Sequence, residues 1–150
     1  MHRFLLSVAW LCAAIASVNA CGGDDADDGG SGGTGGSVNV ACTPGAGGAC
    51  QNATDCPKVE SGEARMTSQT CGLGCQQDDD PATCAVGCIV REAEISQGCA
   101  VCYATLVGCA SENCLAQCAA DPASAACNQC QVDSGCRGNF DSCSGLDSSR

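Results

Sequence analysis

Two stretches of this 150-residue chain repeat one spacing of cysteines, and that spacing constrains the fold more than any other feature. CGLGCQQDDDPATCAVGC spans residues 71–88, and CLAQCAADPASAACNQC spans residues 114–130. Each stretch has two cysteine pairs separated by eight residues, with Asp-Pro-Ala inside that gap. Cysteines four apart on a helix share a face, but their Cβ atoms lie roughly 5–6 Å apart, which is too far for a disulfide. Each pair should therefore face a partner helix.

An antiparallel helical hairpin supplies that partner if its turn lies midway between the cysteines that it joins. The inner and outer cysteines have the same midpoint, 79.5, in the first stretch, within Asp78–Asp80 just before Pro81. In the second stretch their midpoints, 122.5 and 122, fall at Asp121-Pro122. The nested disulfides predicted in this way are Cys71–Cys88, Cys75–Cys84, Cys114–Cys130 and Cys118–Cys127. A competing register pairs Cys88 with Cys99. Its midpoint lies within IVREAEIS, a helical stretch with no breaker, so this register ranks second.

The sequence after residue 60 carries helix signals and no alternation typical of strands. We predict helices near 62–76, 81–95, 97–110, 112–120, 122–131 and 134–143. The predicted N-cap residues are Ser61, Asp80, Ser96, Ser111 and Asp121. We therefore expect a small all-α, disulfide-rich fold of stapled antiparallel helical hairpins that follows a disordered tether.

The N-terminus has the pattern of an export signal. Residues 1–20 combine a short basic start, an apolar run and a small-residue end, so we interpret them as a signal peptide. The following cleavage region, Val18-Asn19-Ala20-Cys21, resembles the lipobox of bacterial lipoproteins. That resemblance implies that Cys21 becomes the lipidated first residue of the mature chain and attaches it to a membrane. Residues 21–41 form a Gly/Ser/Asp-rich stretch, which we predict to be a disordered tether.

Cysteine parity agrees with lipidation. Of 18 cysteines, Cys12 leaves with the signal and Cys21 would carry lipid, so 16 remain to pair. We divide the rest of the chain into a loop-like cysteine segment (42–60) and a helical cysteine-rich body (61–150). Eight cysteines lie outside the two predicted hairpins. Four of them are expected to join two more helices: Cys102, Cys109, Cys136 and Cys143. The other four are expected to complete the pairing: Cys42, Cys50, Cys56 and Cys99.

Composition argues against several classes of function. Removal of the signal leaves five Lys and Arg against 17 Asp and Glu, a net charge of about −12, so nucleic acid is not an expected partner. The only histidine, His2, departs with the signal, so no imidazole can serve a catalytic triad or a zinc site. We predict no catalytic residue, no cofactor and no metal, and we expect the chain not to be an enzyme.

Copper provides the alternative interpretation. Helices with C-x3-C and C-x2-C pairs resemble the four-helix-bundle cysteine-rich copper-storage proteins, in which thiolates on inner faces hold Cu(I). Soft sulfur ligands suit that ion. The ligands implied by this resemblance are Cys71, Cys75, Cys84, Cys88, Cys99, Cys102, Cys114, Cys118, Cys127 and Cys130. Loop cysteines, an even count of 16 and the lack of a supporting histidine favour disulfides instead.

Two further resemblances concern architecture. Nested C-x3-C hairpins are similar to the alpha-hairpinin arrangement of small disulfide-stapled peptides. The whole layout resembles the uncharacterised cysteine-rich lipoproteins of bacteria with two-membrane envelopes. Because Gly22 follows Cys21, the resemblance implies placement in the outer membrane, facing either the periplasm or the outside. We therefore expect an exported, lipid-anchored structural or binding module with an envelope or surface protein as a possible partner.

Overall fold

The computed structural model describes residues 40–148, and within that range it contains helices and no strand. The predicted small all-α, disulfide-rich fold is confirmed. The helices are α1 (Cys56–Glu60), α2 (Glu63–Gly74), α3 (Pro81–Ala93), α4 (Gln97–Asn113), α5 (Leu115–Cys118), α6 (Ala125–Asp133) and α7 (Cys136–Ser144). The predicted signal peptide, Cys21 and nearly all of the predicted tether lie outside the described residues. No described helix is long and apolar enough to cross a membrane.

Helices α2 and α3 form the first hairpin. Two nested disulfides, Cys71–Cys88 and Cys75–Cys84, join the helices with Cα–Cα distances of 5.7 Å, as the midpoint argument predicts. Pro81 begins α3, and the carboxylate of Asp80 accepts a hydrogen bond from the Thr83 N–H at 3.1 Å. This N-cap bond lowers the pKa of Asp80. The Asp-Pro dipeptide therefore starts the second helix of the hairpin where the cysteine spacing requires it.

The second hairpin runs from α4 through α7 and has four nested disulfides. From the open end to the turn they are Cys102–Cys143, Cys109–Cys136, Cys114–Cys130 and Cys118–Cys127. All four share a midpoint at 122 or 122.5, so one antiparallel register accounts for the whole set. Helices α4 and α5 make one arm of this hairpin, and α6 and α7 make the other.

Three of the five predicted N-caps are wrong, whereas Asp80 and Ser96 are confirmed. Ser61 ends α1, and Gly62 precedes α2 with a φ of 78°, a left-handed conformation that glycine adopts readily. Ser111 lies inside α4, which continues to Asn113 although the local residues favour helix only weakly, so tertiary contacts override the serine signal.

Asp121 makes a local turn instead of starting a helix. Its carboxylate accepts from the Ala123 N–H at 2.8 Å, and the chain turns once more before α6. Ser124 then caps α6 by accepting from the Cys127 N–H at 3.2 Å. The helix predicted from residue 122 therefore begins at Ala125. Its cap is Ser124, three residues after Asp121, and this start is compatible with the register of the disulfides.

The segment 42–60, predicted to be loop-like, ends in helix α1 and is held by two disulfides. Cys42–Cys56 closes the segment on itself, and Cys50–Cys99 joins it to the start of α4. The fully buried Asp55 accepts hydrogen bonds from the Ser96 N–H at 2.7 Å and from the Ser96 hydroxyl. A buried carboxylate needs such partners, so Asp55 fixes this segment against the α3–α4 connection.

The segment also contacts the C-terminal end of α7 through its backbone. The Cys50 N–H donates to the Ser144 carbonyl at 3.1 Å, and the Gln51 side chain donates to the Gly145 carbonyl at 2.6 Å. A Cβ atom on Gly48 would lie 2.1 Å from the Ser144 carbonyl oxygen, so only glycine permits this approach. The segment therefore bridges the start of α4 and the end of α7.

Among residues 40–148, no disulfide joins a helix of the first hairpin to a helix of the second, so apolar packing determines how the two hairpins meet. Helices α2 and α3 both lie against α4. The buried core between them includes Ile89, Ala93, Ala100 and Tyr103, and the Tyr103 ring packs on Phe140 with 4.9 Å between centroids. The relative position of the hairpins thus depends on close apolar contact.

At Gly72, α2 lies close against α4, and this position provides a test of the packing. A Cβ atom there would lie 2.3 Å from Cγ1 of Val107, whose β-branched side chain has little freedom to move. Gly72→Ala should lower the free energy of unfolding by about 1–3 kcal/mol. The measurement is denaturant unfolding with the disulfides intact.

The matched control is Gly87→Ala in α3, where a Cβ would meet no atom within 4 Å. That change should raise the free energy of unfolding by about 0.5–1 kcal/mol, since alanine favours helix over glycine. Equal effects of the two substitutions would contradict the close α2–α4 contact.

Candidate functional site

A groove of about 340 Å3 opens between the first hairpin and the second. Helix α2 forms one side, α4 forms the floor, and the α5–α6 turn and α7 form the other side. The larger apolar side chains that line it are Met66, Leu73, Leu106, Val107, Leu115 and Phe140. The groove is therefore largely apolar and lies where no disulfide links the helices of one hairpin to those of the other.

Several apolar side chains of the groove face solvent. Met66 is 70% exposed, Leu73 is 68% exposed and Leu115 is 57% exposed. Only two other large apolar side chains of residues 40–148, Val101 and Val132, are exposed in this way, and neither lines the groove. Single exposed apolar residues are common, but a group around one concave surface is typical of a binding site.

Two arginines lie in the same groove and make no salt bridge to a carboxylate among the described residues. Ion pairs in that part of the chain involve only Lys58 and Arg91. Arg65 donates across the groove to the Pro122 carbonyl at 3.4 Å, and Arg137 donates to the Asn128 side-chain oxygen at 2.7 Å. Burial lowers the pKa of Arg137, and the positive charge of Arg65 lowers it further. An anion in the groove would relieve this repulsion.

Tyr103 contributes its hydroxyl to the groove. The residue as a whole is 4% exposed and lines the groove. Burial raises the pKa of Tyr103 to about 12, although Arg65 and Arg137 act in the opposite direction. The hydroxyl of Ser148, which also lines the groove, is a buried side-chain oxygen without a hydrogen-bond partner in the described chain. Buried polar groups usually have partners, so the Ser148 hydroxyl is an unsatisfied group beside the groove.

The nearby carboxylates are engaged elsewhere. Glu60 lines the groove, and its side chain accepts from the Cys42 N–H at 3.2 Å. Asp141 lies close enough to raise the pKa of Arg137, but its carboxylate accepts from the Ser148 N–H at 3.1 Å. The polar end of the groove therefore presents two guanidinium groups and a phenol hydroxyl.

The predicted cysteine sites that the structure describes are all disulfide-bonded. Every cysteine named in the copper alternative belongs to a disulfide, as do all the other cysteines of residues 40–148. Copper(I) binds thiolates, so that alternative requires a reduced form of the protein. Within the described range, no three His, Cys, Asp or Glu side chains form a metal-binding group. The predicted lipidation site, Cys21, lies outside the described residues.

The sequence analysis did not predict the groove, although the spacing of apolar residues on α2 indicates a second contact surface. Met66 and Leu73 are seven residues apart and so share one helix face. Cys71 must point at α3, and Leu73 lies about 200° around the helix from it. A large apolar residue opposite the stapled face indicates a second contact surface. Recognition of Arg137 and Tyr103 required the packing of α4 against α7, which the sequence left undefined.

Comparison of the chain with protein-family models, with curated proteins and with solved structures finds no match in any of the three. No relative therefore contributes a function or a set of site residues. The groove and the disulfides are the features of the described chain from which a function can be inferred.

The raised pKa of Tyr103 can be tested directly because it is the only tyrosine of the chain. An absorbance titration of the folded protein should show the phenol ionising near pH 12, above the ordinary value of 10. Between these values the unfolded chain loses the proton and the folded chain keeps it. The contribution of Tyr103 to stability is thus complete below pH 10 and is lost as the pH rises through 12. A midpoint at pH 10 in the folded protein would contradict its burial.

Proposed function

We propose that this protein is an exported, lipid-anchored binding module of the bacterial envelope and not an enzyme. The observation that carries the proposal is the groove between the two hairpins, which combines exposed apolar side chains with arginines that make no salt bridge in the described chain. Such a concave, mostly apolar surface with a few polar groups is the usual form of a ligand site.

The disulfides support placement outside the cytoplasm. All 16 cysteines of residues 40–148 are paired, in eight bonds. Disulfides form and persist in oxidising compartments such as the periplasm and the cell surface. The N-terminal signal pattern agrees with this, because residues 1–20 have the charge and hydropathy of an export signal.

The chemistry of the groove supports binding over catalysis. General acid–base work near neutral pH needs a group that titrates there, and histidine is the usual one. The only histidine of the chain is His2, within the proposed signal peptide. Tyr103, with a pKa of about 12, stays protonated at neutral pH, and the two arginines stay charged. These side chains can hold a ligand in place, but they cannot move a proton to or from it at neutral pH.

The lipid anchor rests on Cys21 and on the stretch that follows it. Residues 18–21 resemble a lipobox, and residues 21–41 are rich in Gly, Ser and Asp, as a spacer between a membrane and a folded body would be. Gly22 after the cysteine favours the outer membrane. The folded body would then bind its ligand or protein partner close to that membrane.

Mass spectrometry of the N-terminus of the protein from its native host tests the proposal. We expect a mature chain that begins at Cys21 and carries thioether-linked lipid. The matched variant Cys21→Ser should lose the lipid and leave the membrane fraction, because a single serine hydroxyl cannot replace the lipidated thiol. An unmodified Cys21 in the wild-type protein would overturn the lipid anchor.

A further inference from the structure

We propose that the groove binds a free single-chain carboxylate amphiphile, such as a fatty acid, with its chain along Met66, Leu73 and Leu115 and its carboxylate at Arg65 and Arg137. This inference deepens the proposed function and rests on the groove being a binding site. It assigns a chemical class of ligand to that site.

The apolar part of the groove selects the body of the ligand. Its exposed side chains come from α2 on one side and from α5 on the other, so a narrow chain between them would contact both hairpins. The volume of about 340 Å3 lies near the lower end of the range for small-molecule sites, about 300–1,000 Å3. A single acyl chain fits this size better than a two-chain phospholipid.

The polar end selects the head group. Guanidinium groups match carboxylates in geometry and form short, charge-assisted hydrogen bonds with them. The Tyr103 hydroxyl, which lines the groove, can donate a further hydrogen bond to the carboxylate. The chain as a whole has a net charge of −11, so a site that attracts an anion needs a local excess of cations. Arg65 and Arg137 provide that excess: neither makes a salt bridge in the described chain, and Asp141 offsets only part of the charge of Arg137.

The charge also distinguishes this ligand from the lipid that Cys21 would carry. The acyl chains of a lipidated cysteine are esters and an amide, so they bear no carboxylate. They could fill the apolar part of the groove, but they would leave both arginines without a counter-ion. A free fatty acid satisfies both parts of the site.

Direct titration tests the proposal. The protein is the mature chain, residues 21–150 with Cys21→Ser, exported by a signal peptide that releases it without lipid, and its disulfides are verified by mass. Dodecanoate, below its micelle concentration, should bind saturably at one site by calorimetry and by Tyr103 fluorescence. Dodecanol and dodecyltrimethylammonium, which have the same chain, should bind at least about tenfold more weakly. Equal binding of all three, or no saturation, would overturn the proposal.

Substitutions locate the site. Arg65→Gln and Arg137→Gln should each weaken dodecanoate binding by about tenfold and leave dodecanol binding unchanged. Leu73→Gln should weaken both ligands, because the chain loses an apolar contact. The matched control is Arg91→Gln, which removes the same charge from an exposed arginine paired with Glu92 at 2.9 Å, outside the groove. It should leave binding unchanged, and an equal loss in this control would show that net charge, and not the groove, attracts the ligand.

A last arm separates this proposal from the proposed function. The lipidated protein from the native host, reconstituted in vesicles, should bind dodecanoate as the Cys21→Ser chain does. Binding by the Cys21→Ser chain alone would mean that the protein's own lipid occupies the groove, and this would overturn the assignment of a free ligand while Cys21 stays lipidated. Dodecanoate binding with an unmodified native Cys21 would instead retain the ligand and reject the anchor.

Discussion

Nested disulfides between antiparallel helices determine where the other residues of this protein can lie. Each bond closes a loop of 9 to 49 residues and stabilises the fold by about 2–4 kcal/mol, mainly through the unfolded chain. Residues 42–150 contain only 15 large apolar side chains, too few for a conventional core of that length. Because the disulfides supply much of the stability, Met66, Leu73 and Leu115 are not needed inside and can line a groove.

The same arrangement explains why the groove lies where it does. Each hairpin is stapled internally, whereas the contact between them depends on packing of α2 and α3 on α4 and on a hydrogen bond from Arg65 to Pro122. A boundary that no disulfide crosses from helix to helix can open for a ligand without breaking a staple. The arginines of this boundary come from different hairpins, so a carboxylate held by both would also hold the hairpins together.

Cysteine spacing predicted the helical class, the two Asp-Pro turns and four of the eight disulfides, because helix geometry and disulfide reach leave few solutions. The common midpoint of Cys102–Cys143 and Cys109–Cys136 with the second hairpin was present in the sequence as well. Cap positions were less predictable, since tertiary contacts keep Ser111 inside α4 and no local pattern shows this. The buried Asp55 and the groove around Tyr103 depend on contacts between distant segments, and no local pattern encodes those.

The central claim is that the cysteines of residues 40–148 are structural disulfides, and intact-mass analysis of the exported protein with and without reductant tests it most directly. Eight disulfides predict a gain of about 16 Da on reduction, two hydrogens for each bond. They also predict no alkylation of these cysteines before reduction. If more than half of the 16 cysteines were alkylated without reductant after copper had been chelated, the disulfide account would be contradicted and Cu(I) storage by thiolates would replace it.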